Sequence, residues 1–124
     1  MPEQITVRGR QAAITIELNT SDTAAELLKQ LPFDARAQIW GDEIYFSSPV
    51  DADNAPGDEA TVAVADVAYW PPGKAICLFY GPTPISTDDR PVAANPVTVV
   101  GRIIDGLEDC RRVGSGEILA IERG

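Results

Sequence analysis

The sequence contains no histidine. That removes Ser-His-Asp and Cys-His nucleophile pairs, histidine metal sites, and the one side chain whose unperturbed pKa lies near neutrality. Bases are scarce as well. Ten Lys and Arg face nineteen Asp and Glu, for a net charge of −9. A surface this negative repels phosphate backbones and anionic lipid, which argues against nucleic acid and membrane partners. Long apolar runs are missing: the longest, Ala75-Ile76-Cys77-Leu78-Phe79, is far shorter than a membrane span. Met1-Pro2-Glu3-Gln4 lacks the basic and apolar regions of a signal peptide, so a soluble cytoplasmic protein is expected. Only two cysteines occur, Cys77 in that apolar run and Cys110 in a predicted helix. Without Cys-x-x-Cys spacing they make neither a zinc knuckle nor a thioredoxin-type pair. Two buried, reduced thiols are expected, with no metal and no cofactor.

What is present reads as one domain over residues 1–124, long enough for a hydrophobic core without disulfides. Ile5 and Val7 alternate with polar residues, Gly9 breaks the run, and Ala12, Ile14, Ile16 and Leu18 then share a face. Period two on both sides of a glycine predicts a β-hairpin. The period then changes: Ala24, Leu27, Leu28 and Leu31 form a helical stripe, with Thr23 as N-cap, Glu26 closing a capping box and Pro32 ending it. Strands are predicted at 35–40 and 43–46 around the Gly41-Asp42 turn, and at 61–64 and 67–70 around Ala65-Asp66. Another, at 75–80, is apolar on both faces. Residues 47–60 and 81–96 read as long loops, the second holding four prolines. A strand at 97–103, a short helix at 106–113 capped by Asp105 and stopped by Gly114, and a strand at 117–122 complete the chain. Many short strands with Gly and Pro turns argue for a sandwich or barrel. Two helices too small to cover a sheet would plug the ends of a barrel, which is the architecture favoured.

Few constellations carry chemistry. Asp51-Ala52-Asp53-Asn54 begins like a calcium loop, but its fifth, sixth and twelfth positions hold Ala55, Pro56 and Val62 instead of an oxygen ligand, Gly and Glu. It is read as a solvated acidic loop. Gly114-Ser115-Gly116 has neither the P-loop lysine nor dinucleotide spacing. The eight aromatics are more informative, because six form adjacent pairs: Tyr45-Phe46, Tyr69-Trp70 and Phe79-Tyr80. Neighbours on a strand point to opposite faces, so one of each pair fills the interior and the other stands outward. Outward aromatics on adjacent strands would form a groove, unless helices or loops cover them.

The runs Gly41-Asp42-Glu43-Ile44-Tyr45-Phe46, Asp66-Val67-Ala68-Tyr69-Trp70-Pro71-Pro72-Gly73 and Phe79-Tyr80-Gly81-Pro82-Thr83 carry a family resemblance. With Val99-Val100-Gly101-Arg102-Ile103, they resemble the small bacterial and archaeal cyclophilin-like proteins of uncharacterised function, distant from true peptidyl-prolyl isomerases. The resemblance covers nearly the whole chain and implies a mainly β fold, a closed eight-stranded barrel with a short helix at each end. True cyclophilins use an arginine beside a glutamine, aromatic rings and a histidine. Here the histidine has no counterpart, and Arg36 with Gln38 is the sole arginine–glutamine pair in the corresponding region.

The favoured function is a binding module whose side groove, formed by Glu43, Tyr45, Tyr69, Trp70, Phe79 and Arg102, takes a proline-containing peptide or a small molecule. One alternative is a weak peptidyl-prolyl isomerase using Arg36 and Gln38. Its barrier of about 18–20 kcal/mol falls in any site that desolvates the amide. The other is a structural role in which exposed aromatics form a homo-oligomer contact.

Overall fold

The computed structural model describes residues 3–124. The opening alternation folds as expected: β1 (Gln4–Arg8) pairs antiparallel with β2 (Ala13–Leu18), Ile5 opposite Ile16 and Val7 opposite Ile14. All four of these side chains are buried. In α1 (Asp22–Gln30) the N-cap is Ser21 rather than Thr23. Ser21 Oγ accepts the Ala24 N–H at 3.1 Å while Asn19 Oδ1 accepts from both Ser21 N and Oγ. Serine caps as well as threonine, so the helix starts two residues earlier and Thr23 is buried in its first turn.

Eight further strands follow: β3 (Phe33–Arg36), β4 (Gln38–Ile39), β5 (Glu43–Ser47), β6 (Glu59–Thr61), β7 (Asp66–Trp70), β8 (Ala75–Phe79), β9 (Val92–Asp105) and β10 (Ile118–Arg123). They make one sheet in the order β3-β10-β1-β2-β9-β7-β8-β5-β4, with β6 added to β9. The mainly β class stands, but the closed eight-stranded barrel is corrected. Ten strands are formed among the described residues, and the outermost pair, β3 and β4, share no hydrogen-bond ladder. The chain itself crosses that seam at buried Ala37, which donates to Glu117 O and accepts from Gly116 N, and Phe33 packs across it against Phe46. The cause is local. β3 is paired to β10 and β4 to β5, so one extended stretch changes partner at Ala37.

Two more expectations change. β6 does not form a hairpin with β7 but pairs with the first half of β9, which is strand from Val92 rather than loop to Pro96. That half of β9 has only β6 beside it and a shifted register, a setting in which Pro96 is tolerated. The last helix is a 3-10 turn, Leu107–Arg112, and its N-cap is Gly106 (φ 86°) rather than Asp105. A side chain at 106 would strike the Ala13 carbonyl. The left-handed residue after it is Gly116, not Gly114. Cys77 and Cys110 are free and buried, as expected. No helix among the described residues is long and apolar enough to cross a membrane.

The sheet carries apolar layers on both sides at β5, β8 and β7. Ile44, Phe46, Val67, Tyr69, Ile76 and Leu78 join the main core with β1, β2 and β10. Behind them, Ala68, Cys77 and Phe79 meet Val62, Ala93 and Val97 in a smaller layer. This explains why all five residues of β8 are buried.

Candidate functional site

Alternation along the neighbouring strands decides what reaches the second layer. In β5, Ile44 and Phe46 enter the main core, which sends Glu43 and Tyr45 to the other face. In β7, Tyr69 goes in and Trp70 out; in β8, Cys77 and Phe79 go out. The registers set Tyr45 opposite Cys77, Glu43 opposite Phe79, and Trp70 opposite Ala75.

A cavity of about 290 Å³ opens on this face. Half-buried Trp40, Tyr45 and Trp70 form its walls, buried Glu43 and Cys77 lie deepest, and Ala93 and Ala94 at the start of β9 complete it. Trp40 arrives through the Gly41-Asp42 turn: it donates to Glu43 O at 2.9 Å and accepts from Glu43 N at 3.2 Å. Gly41 has φ 60°, as the first central residue of a type II′ hairpin turn requires. The turn is held from outside, because Asp42 N donates to Pro82 O and Tyr80 N to Asp42 O. Arg111 lies 5.3 Å from the Tyr80 ring centre and 3.5 Å from Asp42 Oδ1.

Trp70 meets Tyr45 edge-on at 6.4 Å between ring centres, and its Nε1 donates to Asn95 Oδ1 at 3.0 Å. The Pro-Pro-Gly that follows is part of the same device. Residues Pro71–Gly73 make a 3-10 turn that folds Gly73 beneath the indole, where a Cβ would lie 2.6 Å from Trp70 Cζ3. Tyr45 donates its hydroxyl to Gln38 Oε1 at 3.3 Å. The polar tips of both rings are therefore occupied, and their apolar surfaces are what the cavity receives.

Glu43 is the exception. Its residue is 5 % exposed, and Oε1 is the single buried side-chain polar atom among the described residues with no hydrogen-bond partner. Burial pushes its pKa up to about 7, and the Cys77 thiol, acting as a donor, opposes that rise. Cys77 is itself held well above the ordinary thiol range, by burial first and then by the facing Glu43, so it stands as a neutral thiol. No group of three or more potential metal ligands occurs among the described residues.

Of the groove residues expected from sequence, Glu43, Tyr45 and Trp70 come together here. Tyr69 does not: with Trp70 outward, it must point inward, where it is fully buried and donates to Val50 O at 2.8 Å. Phe79 faces the expected side but is fully covered by the second layer. Arg102 is exposed in a separate depression beside Glu17, Asn19 and Asp66. Arg36 and Gln38 engage different neighbours, Arg36 donating to Gly116 O at 3.1 Å and Gln38 accepting from Tyr45 at the cavity edge. Trp40, Cys77, Ala93 and Ala94 were missed. Two of them left a signal: the Gly41-Asp42 turn sets Trp40 opposite Glu43, and Cys77 is two residues from Phe79 on one strand face.

Comparison with known proteins follows this geometry. The solution structure of a hypothetical protein from Archaeoglobus fulgidus superposes with a TM-score of 0.85 at 38% identity, covering 99% of this chain and 95% of that one. The structure of McbB in complex with tryptophan gives a TM-score of 0.71 at 16% identity, over 97% of this chain and 44% of that one, a likeness of fold alone. No curated protein matches. The family model described as Cyclophilin-like matches residues 3–122, and on that near-complete match the chain belongs to the cyclophilin-like family.

Proposed function

We propose that this chain, as one cyclophilin-like unit, is a binding module that takes a small ligand, or the ring of one proline in a peptide, into the Trp40–Tyr45–Trp70 cavity. The observation that carries this is the unpartnered Glu43 Oε1 deep in an aromatic-walled cavity. A fold gains nothing from an orphaned buried acceptor, whereas a binding site needs one polar group to orient its guest. The volume favours a ring-sized group, since pockets for larger ligands run from roughly 300 to 1,000 Å³. No arginine lines the cavity, so an isomerase mechanism through Arg36 has no geometric support.

The test is direct because both tryptophans of the chain line this cavity. Titration with an Ala-Pro peptide and with small cyclic compounds should change intrinsic fluorescence and shift the backbone amides of Tyr45, Trp70 and Ala93. Trp70→Ala should weaken that binding by about tenfold or more, as for an aromatic anchor, while keeping the wild-type dispersion of amide signals. If no probe moves either signal at millimolar concentration, the binding reading falls.

A further inference from the structure

The cavity has one chemical asymmetry that selects among small ligands. Its lining contains three aromatic rings and one carboxyl, but no Lys or Arg. Aromatic ring faces carry a negative quadrupole that attracts cations. The carboxyl oxygen with no partner can only accept hydrogen bonds once ionised. The protein around it carries a net charge of −9, so its long-range field draws cations and repels anions. We propose that the guest is a compact organic ammonium bearing at least one N–H, donating to Glu43 Oε1 and packed against Trp40, Tyr45 and Trp70. This rests on the pocket reading above and narrows it to one ligand class.

The groups that face Glu43 leave it free for that role. Cys77 on β8 is a neutral thiol, Phe79 opposite is apolar, and Ala93 and Ala94 on β9 bring no charge. From the hairpin come Trp40 and Tyr45, the latter committed to Gln38. The nearest charged neighbours in the chain, Asp42 and the Arg111 that meets it, engage each other. Desolvation holds Glu43 partly protonated near neutrality. A cation binds the ionised form, so binding should strengthen as pH rises through about 7.

Four probes of similar shape separate the components on the whole chain: piperidinium, 1,1-dimethylpiperidinium, cyclohexanol and cyclohexanecarboxylate, each followed by tryptophan fluorescence and amide shifts. Piperidinium should bind most tightly. Its affinity should rise about tenfold per pH unit below the Glu43 pKa and level off above it. Cyclohexanol should bind more weakly without that rise, and the carboxylate should not bind. In Glu43→Gln the pH dependence should vanish and piperidinium should lose its advantage over cyclohexanol. Cyclohexanol equalling piperidinium above neutral pH would overturn the ammonium assignment while leaving the pocket intact. A quaternary probe equal to piperidinium would overturn the N–H requirement and, with it, the proposal as stated. Silence from all four would overturn the pocket reading itself.

Discussion

Glu43 shows most clearly how a single side chain can oppose the fold that contains it. Its folded-state pKa is raised from the ordinary 4.5 to about 7, because burial disfavours the charged form. The unfolded chain therefore releases that proton more readily than the native one. Stability tied to the protonated carboxyl is fully present below pH 4.5 and is lost as pH rises through about 7. Glu43→Gln keeps shape and polarity but cannot ionise. It should match the wild type in urea unfolding at about pH 4 and exceed it at about pH 8, by about 3 kcal/mol at most. A difference that stays constant across that range would show the carboxylate to be solvated in the native state. The direction separates Glu43 from Asp58. Burial raises the Asp58 pKa too, but hydrogen bonds from Thr98, Asn54 and the Ala55 N–H outweigh it and bring the group below its usual range. Asp58 thus stabilises the native state above its unfolded pKa, and that contribution is lost on acidification. One carboxyl is hydrogen-bonded into the structure; the other has a buried oxygen with no hydrogen-bond partner.

At the scale of elements, the Trp-Pro-Pro-Gly turn after β7 works as a shelf for the indole. Gly73 has an ordinary backbone conformation, so alanine there meets no backbone strain but strikes the indole of Trp70, Cζ3 at 2.6 Å and Cε3 at 2.8 Å. Gly73→Ala should therefore displace the ring at a cost of about 1–3 kcal/mol, as overpacking does. Near-UV circular dichroism should change while the far-UV spectrum holds, and probe binding in the cavity should weaken. Unchanged near-UV signals would mean the indole is not seated on this turn. The same elements show what a sequence can yield. Period two placed the β1–β2 hairpin and the Tyr45/Phe46 split, because each needs only alternation, and an unbroken apolar run placed β8. Alternation also required Tyr69 and Trp70 to face opposite ways, yet it could not say which faces out; that depends on Val50 and Asn95, their distant hydrogen-bond partners. Phe79 was legible as outward but not as covered, since its cover includes Ala93 and Val97 from residues 91–97, where Pro91 and Pro96 read as loop punctuation. Arg102 is on β9, far along the strand from Ala93, and its place was fixed by pairing with β2 and β7 rather than by any local pattern.

For the whole molecule, the strand order places the last strand inside the sheet rather than at its edge. β10 lies between β3 and β1, and its Leu119 and Ile121 have no exposed surface. The turn leading into it holds the seam as well, through the hydrogen bonds of Glu117 and Gly116 with Ala37. Removing residues 117–124 would thus leave β3 with no ladder partner and β1 with β2 alone, weaken the seam, and delete two core side chains worth about 2–5 kcal/mol each. Against a total stability of about 5–15 kcal/mol for a domain, the truncated chain should not fold. It should show collapsed amide dispersion and no cooperative urea transition. The cavity supplies an independent reporter, because its lining comes from the β4–β5 hairpin, β7, β8 and the start of β9, and contains no residue of β10. In the full-length chain, tryptophan fluorescence from the cavity and far-UV dichroism should then unfold with one midpoint, the mark of a single cooperative unit. If the truncated chain kept native cavity fluorescence, the β5–β8–β7 face would be able to stand without the strand that ties β3 to β1. The pocket would then be a separable subdomain rather than a product of the whole fold.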